Sequence, residues 1–383
     1  VKTGRIRSAL VAAFVSLVAP TARVAAATPY SFIAITDTSN CSNDNPSINP
    51  SGQLITFSST CDLTPGSPGN ADGNDEIFLY NTSTRTFTQI TNTTSCTNVD
   101  PTINGAGTVI SFESDCDLTG GNADGNFEIF DFSVSGSTFS QITDTKSCDN
   151  TDPWINPDGS TIVFVSTCDL TPGSPGNADG NTEIFEFNSP STFVQITDTS
   201  VCSNGNPAID AAGSVITFDS FCDIVPPGNA DGSNEIFAFD TAGSTFRQVT
   251  NNTGCDNADP ASNPTGTLVP IQSDCNLVPG GNADGNDEIF LLDARTHTFS
   301  QVTSTTGCGN VDPYINAFAT KVSFQSDCNL TGSNADGNDE IVLAVAAPAP
   351  APALSSLGLL AMAVLLALFG VWSSSRIRRS PEP

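Results

Sequence analysis

Twelve cysteines constrain this chain more than anything else in it. They fall into six pairs, Cys41/Cys61, Cys96/Cys116, Cys148/Cys168, Cys202/Cys222, Cys255/Cys275 and Cys308/Cys328, and the partners are always 20 residues apart. The pairs themselves recur every 52 to 55 residues. Each interval holds the same parts in the same order. After the first cysteine come an Asx-Pro step, a turn and an alternating strand; the second cysteine, an Asn-Ala-Asp-Gly loop and a Glu-Ile strand follow. A fixed period of this length marks a repeat architecture. The midpoint of every pair falls at the turn, so the two cysteines face each other at the open end of one hairpin. An even cysteine count in an exported chain predicts disulfides, and each would close a loop of ~20 residues worth ~3 kcal/mol. Zinc is a poorer fit, because no CxxC occurs and the single histidine, His297, is far from any cysteine in sequence.

The repeats predict an all-β fold. Thr86–Thr91, Thr138–Thr143, Thr192–Thr197, Thr245–Thr250 and Thr298–Thr303 read TFxQ[IV]T and alternate as strands do. Tyr30–Thr36 matches this closing segment, whereas the sixth repeat lacks one. A six-bladed β-propeller of four-stranded blades, in which residues 30–36 complete the last blade, accounts for both facts. A linear β-solenoid would leave the first strand spare. In the third repeat the strands are read around Trp154-Ile155, over Thr161–Val165, over Glu183–Phe187 and over Thr192–Thr197. Phe318 stands where the other turns carry glycine.

The ends read as addresses. Residues 1–27 carry Lys2, Arg5 and Arg7, an apolar run and Ala25-Ala26-Ala27, the pattern of a secretory signal peptide. Residues 28–346 form the propeller and 347–353 a Pro/Ala linker. Residues 354–372 form an uncharged apolar span long enough to cross a bilayer, and 373–383 a basic tail held on the cytoplasmic side. The expectation is an exported protein of the periplasm or cell surface, anchored or sorted through its C-terminus. Between the two ends, five basic residues face forty acidic ones. Such a field repels phosphate backbones and excludes nucleic acid as a partner class.

The motif from Asn150 to Ser166, together with Cys61–Thr91, resembles the TolB-type, WD-like propeller repeat of exported bacterial proteins. The likeness covers about Thr28 to Val345 and implies a propeller, without fixing an activity. Residues Pro352 to Leu359 with the apolar span and arginines resemble an IPTL-type C-terminal sorting segment. That implies a membrane sorting protease as a partner, with a plain transmembrane anchor as the alternative.

Two six-fold sets of residues are candidate sites. The first is the acidic loop: Asn70, Asp72, Asn74 and Glu76 in repeat 1, then Asp124 and Glu128, Asp179 and Glu183, Asp231 and Glu235, Asp284 and Glu288, and Asp336 and Glu340. Oxygen ligands at alternating positions around a glycine suit Ca²⁺, and the loop partly resembles the calcium loops of integrin-type propellers. The competing reading is an Asx/Gly turn with solvated carboxylates. The second set precedes proline: Asn45, Asp100, Asp152, Asn206, Asp259 and Asp312. These should ring one mouth of the channel, with side chains bonding nearby backbone amides. No G-x-S-x-G or H-E-x-x-H motif is present. The function expected is therefore non-catalytic, an acidic face presented to a protein, glycan or cation at the envelope. A propeller hydrolase or lyase working through the channel is the alternative.

Overall fold

The computed structural model describes residues 30–348 apart from 67, 174 and 175. The segments read as signal peptide (1–27), most of the expected linker, the apolar run 354–372 and the basic tail lie outside the described residues. Among the described residues no helix is long and apolar enough to cross a membrane.

The chain forms six four-stranded antiparallel sheets. After β1 (Tyr30–Ala34), blade 1 comprises β2 (Asn43–Ile48), β3 (Leu54–Ser59), β4 (Glu76–Asn81) and β5 (Thr86–Gln89). Blade 2 is β6 (Asn98–Ile103), β7 (Val109–Ser114), β8 (Glu128–Ser133) and β9 (Thr138–Gln141). Blade 3 is β10 (Asn150–Ile155), β11 (Thr161–Ser166), β12 (Glu183–Asn188) and β13 (Thr192–Gln195). Blade 4 is β14 (Asn204–Ile209), β15 (Val215–Ser220), β16 (Glu235–Asp240) and β17 (Thr245–Gln248). Blade 5 is β18 (Asn257–Ala258), β19 (Leu268–Ser273), β20 (Glu288–Asp293) and β21 (Thr298–Gln301). Blade 6 has β22 (Asn310–Ile315), β23 (Lys321–Ser326) and β24 (Glu340–Ala346), and β1 pairs with β24 from Tyr30↔Ala346 to Ala34↔Val342 as its outer strand. The propeller and its closure by the first strand are as the repeat pattern predicts.

The apolar cores lie between blades because both faces of each sheet are covered. Along β4, Ile77 and Leu79 enter a cluster with Ile103, Ile110 and Phe112 of blade 2. The alternate residues Phe78 and Tyr80 pack with Ile341 and Leu343 of blade 6. Period-two alternation thus feeds two neighbours at once, and a ring needs no single large core.

Three details depart from the sequence reading. The inner strands are longer than the Trp154-Ile155 pair suggests, because a bulge between Thr151 and Trp154 continues the ladder past Pro153. Blade 5 is the exception: Pro270 faces Ala261 and has no N–H to offer, so the pairing beyond Ala258 reduces to Ala261 N–H donating to the Pro270 carbonyl and Asn263 N–H donating to that of Leu268. The turn residue that replaces glycine is Ala319, not Phe318. Ala319 takes φ 53°, as Gly52 takes φ 71°, and both N–H groups close the same turn onto Asn316 and Asn49. Phe318 sits beside it at the exposed tip.

A buried polar latch joins successive blades. The first residue of each third strand is a glutamate with at most 2% exposure. Glu128 accepts from Asn126 Nδ2 (2.8 Å), Thr145 N–H (2.5 Å) and Thr145 Oγ1 (2.7 Å), all on its own side of the joint. Its other oxygen accepts from Asn150 Nδ2 of blade 3 at 3.0 Å. Asn150 Oδ1 accepts from Ser166 Oγ, which in turn accepts from the Cys168 N–H. The last joint repeats this across the closure, with Glu340 accepting from Thr38 and Asn43. All six disulfides form within their own repeats, at Cα separations of 5.2–5.5 Å. Replacing Glu128 with Ala orphans several buried donors, so urea unfolding without reductant should show a loss of ~3 kcal/mol; an unchanged midpoint would contradict the role of the latch.

Candidate functional site at the acidic rim and channel mouth

Antiparallel order places the loops between second and third strands, and the connections from each fourth strand to the next blade, on one rim. The disulfides lie on this rim too. Lys146 is the one lysine or arginine among the described residues of those connections. Arg85, Arg295 and Lys321 lie at the opposite end, and Arg247 is on the outer strand β17. His297 is exposed in the β20–β21 turn, also at the opposite end.

Each loop between second and third strands turns on a left-handed glycine, Gly73 in blade 1 at φ 73°. The six loop aspartates, Asp72, Asp124, Asp179, Asp231, Asp284 and Asp336, are exposed. The loop asparagine Asn70 is buried, and its N–H donates to Asp62 at 3.1 Å. The sequence pattern groups Glu76 and its equivalents with these oxygens. The structure assigns the glutamates elsewhere: both oxygens of Glu76 are taken by donors from Asn74, Thr93 and Asn98 in the latch. Burial pushes Glu235 up; in its blade Ser233 and Asn252 stand where blade 1 has Asn74 and Thr93.

The second set does ring the channel mouth. Asn45, Asp100, Asp152, Asn206, Asp259 and Asp312 line a cavity of about 50 Å³, room for a few water-sized groups. All six hold φ between 48° and 52° at the inner-strand bulge, a left-handed conformation that Asn and Asp tolerate. Their hydrogen bonding differs from simple side-chain capping. The backbone N–H of the ring residue donates to a side chain on the second strand of the preceding blade. Asp152 donates to Glu113 (2.6 Å), Asp259 to Asp219 (3.1 Å), Asp312 to Gln272 (3.1 Å) and Asn45 to Gln325 (3.3 Å). Ser58 and Val165 occupy the other two such positions.

The floor of the mouth is aromatic. Trp154 and Tyr314, from opposite blades, stack across the axis at 4.6 Å and 10° between planes. The equivalent residues Ser47, Thr102, Ala208 and Ala261 are small and leave room for the stack. A second cavity of about 30 Å³ lies on the other side of it. The sequence search missed Glu113, Asp219 and this stack. The available signal was an acid within a strand otherwise free of charge, and two aromatics at one repeat position.

Asp100, Glu113 and Asp152 bring carboxylate oxygens within 4.8 Å of one another. Burial, then mutual repulsion, pushes Asp100 and Asp312 up to about 7 and Asp152 to about 8, and holds Glu113 and Asp259 well above the carboxylate range. The ring residues are half-buried by area because they face the cavity, but protein surrounds them on every side.

No family model matches the sequence, and no curated protein matches it. Solved structures match the fold. TolB from Acinetobacter baumannii superposes with a TM-score of 0.53 at 16% identity, over 77% of this chain and 64% of that one. This chain therefore spans less than two thirds of that protein. A TolB-like structure from Agrobacterium tumefaciens gives 0.50 at 14% identity, over 80% and 90%. An oligogalacturonate lyase in complex with manganese gives 0.50 at 12%, over 83% and 97%. At these identities the likeness is one of fold, that of a TolB-like β-propeller.

The mouth carboxyls predict an inverted pH response. In the unfolded chain these aspartates titrate near pH ~3.9. Between that value and their raised folded values, the folded state binds more protons, so stability falls as pH rises. The melting temperature should therefore rise by about 5 °C from about pH 8.5 to about pH 5.5, and Asp152→Asn should flatten the rise. A melting temperature that falls over this range would refute the raised values of the mouth carboxyls.

Proposed function

We propose that the protein is an exported, non-catalytic binding module of the bacterial envelope that presents its acidic rim to a protein, glycan or cation. The observation that carries this reading is the six-fold array of exposed aspartates on one rim, with Lys146 as the lone basic residue of its connections. Six disulfides support an oxidising compartment. The rim also has relief. A recess of about 460 Å³ opens beside the Cys202–Cys222 bridge, lined by Asp198, Ile224 and Phe246, and Val201 and Phe221 are exposed nearby in sequence. Acidic loops around apolar points suit a partner with a basic, partly apolar surface.

The alternative is a lyase, motivated by the fold shared with the oligogalacturonate lyase. Two features weigh against a reaction routed through the channel. The Trp154–Tyr314 stack closes it, and the one histidine lies at the far end.

Binding of the full chain to envelope fractions should weaken about tenfold, equal to ~1.4 kcal/mol, when the six loop aspartates are changed to Asn. Changing Arg85 and Arg295 at the opposite end should leave it intact. Equal effects from both sets would remove the acidic rim from the binding surface. Release of unsaturated uronates from oligogalacturonate would instead favour the lyase.

A further inference from the structure

The acidic loops contain buried oxygens that nothing among the described residues satisfies. Asn70 Nδ2 donates to the carbonyls of Ser59 (3.3 Å) and Asn74 (2.8 Å). Asn74 Nδ2 donates to Glu76 Oε1, Thr93 Oγ1 and the Cys96 carbonyl, each at 3.0 Å. Carbonyls and carboxylates only accept, so both amides are locked with nitrogen toward these groups and oxygen on the other branch. Asn70 is 3% exposed, and neither its Oδ1 nor that of Asn74 has a donor. The same pair of orphaned oxygens recurs in blades 2, 3 and 5, at Asn122 and Asn126, Asn177 and Asn181, and Asn282 and Asn286.

The two exceptions show where these oxygens converge. In blade 4 a serine replaces the second asparagine. Ser233 Oγ lies 3.4 Å from Asn229 Oδ1 and 3.2 Å from Asp231 Oδ1. One small group at this position therefore reaches both the buried amide oxygen and the loop carboxylate, and the hydroxyl brings its own proton. In blade 6, Gly337 N–H donates to Asn334 Oδ1 at 3.1 Å, leaving only Asn338 Oδ1 unpaired. Where asparagine replaces serine and no N–H reaches in, both amide oxygens are left without a hydrogen, in the same loop as the exposed carboxylate of Asp72. Electrostatics then demands a cation or a donor from outside.

We propose that blades 1, 2, 3 and 5 each bind one hard divalent cation of the Ca²⁺ class through this loop, with Asn70 Oδ1, Asp72 and Asn74 Oδ1 as the blade 1 ligands. All three donors are oxygens, and the exposed aspartate leaves the remaining positions to water, as Ca²⁺ accepts and soft metals do not favour. Glu76 holds Asn74 in place and is not itself a ligand. The inference refines the acidic-rim reading by naming one ligand, and its test separates the two.

Calorimetric titration of the EGTA-stripped, dialysed full chain with CaCl₂ should give four sites. Asp72→Ala, Asp124→Ala, Asp179→Ala and Asp284→Ala should each remove one site while leaving the circular dichroism of the cation-free chain unchanged, since these side chains are exposed. Ser233→Asn should add a fifth. Absence of binding at millimolar Ca²⁺, or a stoichiometry that ignores these substitutions, overturns the inference. Envelope binding that persists in EGTA alongside such a failure would leave the acidic-rim reading standing. Four Ca²⁺ sites with no envelope binding would support the inference and sink that reading.

Discussion

The ring depends on a carboxylate that has no cation beside it. Each third strand begins with a glutamate withdrawn from water, and among the described residues the one ion pair is the exposed Arg295–Asp293 contact. Such a group is tolerable only when donors surround it, because burying a charge without them costs several kcal/mol or more. Here the donors come from three places: the loop before it, the connection after its own blade, and the inner strand of the next blade. Satisfying the carboxylate therefore fixes the relation of adjacent blades. Through Asn150 and Ser166 the same network reaches the backbone of a disulfide cysteine, and through Asn126 it anchors the acidic loop. Scaffold and candidate site hang from one atom group, repeated six times.

Symmetry is broken most visibly along the axis. The outer strands are nearly interchangeable, whereas the inner wall differs from blade to blade at two positions. One carries the Trp154–Tyr314 stack and four small residues; the other carries Glu113, Asp219, Gln272 and Gln325 beside Ser58 and Val165. Similar repeats cannot all send large side chains to one axis, so two opposite blades fill it and the rest yield. Closure by stacked rings leaves an acid-lined cup rather than a conduit. The cup concentrates carboxyls that burial and mutual repulsion push toward the protonated form, a local arrangement separate from the solvated aspartates of the rim.

Much of this was legible in the sequence, and the reasons are physical. Cysteine spacing, the turn at each midpoint and the unmatched strand at Tyr30 report local geometry, and local geometry survives translation into a ring. Blade count, closure and disulfide pairing follow from them. The role of the glutamates was not legible. Glu76 sits among loop oxygens in sequence, and only the neighbouring blade's Asn98 reveals its second partner. The inner-strand asparagines Asn43, Asn98, Asn150, Asn204, Asn257 and Asn310 stand two residues before the Asx-Pro step in every repeat. They carried a signal that turn chemistry alone does not explain. The shift from Phe318 to Ala319 has the same origin: residue type points to one position, while the turn is defined by which N–H returns to Asn316.

The pairing of β1 with β24 also sets an order of events. Synthesis runs from the N-terminus and domains tend to fold as they emerge, so β1 waits for β24, its partner in blade 6. Every disulfide closes within a single hairpin, and five blades can therefore mature in sequence, each already cross-linked. Throughout that time blade 1 lacks the neighbour that covers Phe78 and Tyr80. The unfinished ring thus has one sticky flank and one loose leading strand, and the final few residues of β24 decide when both disappear. For such a ring the vulnerable moment is the interval before β24 arrives, and β24 acts as the clasp.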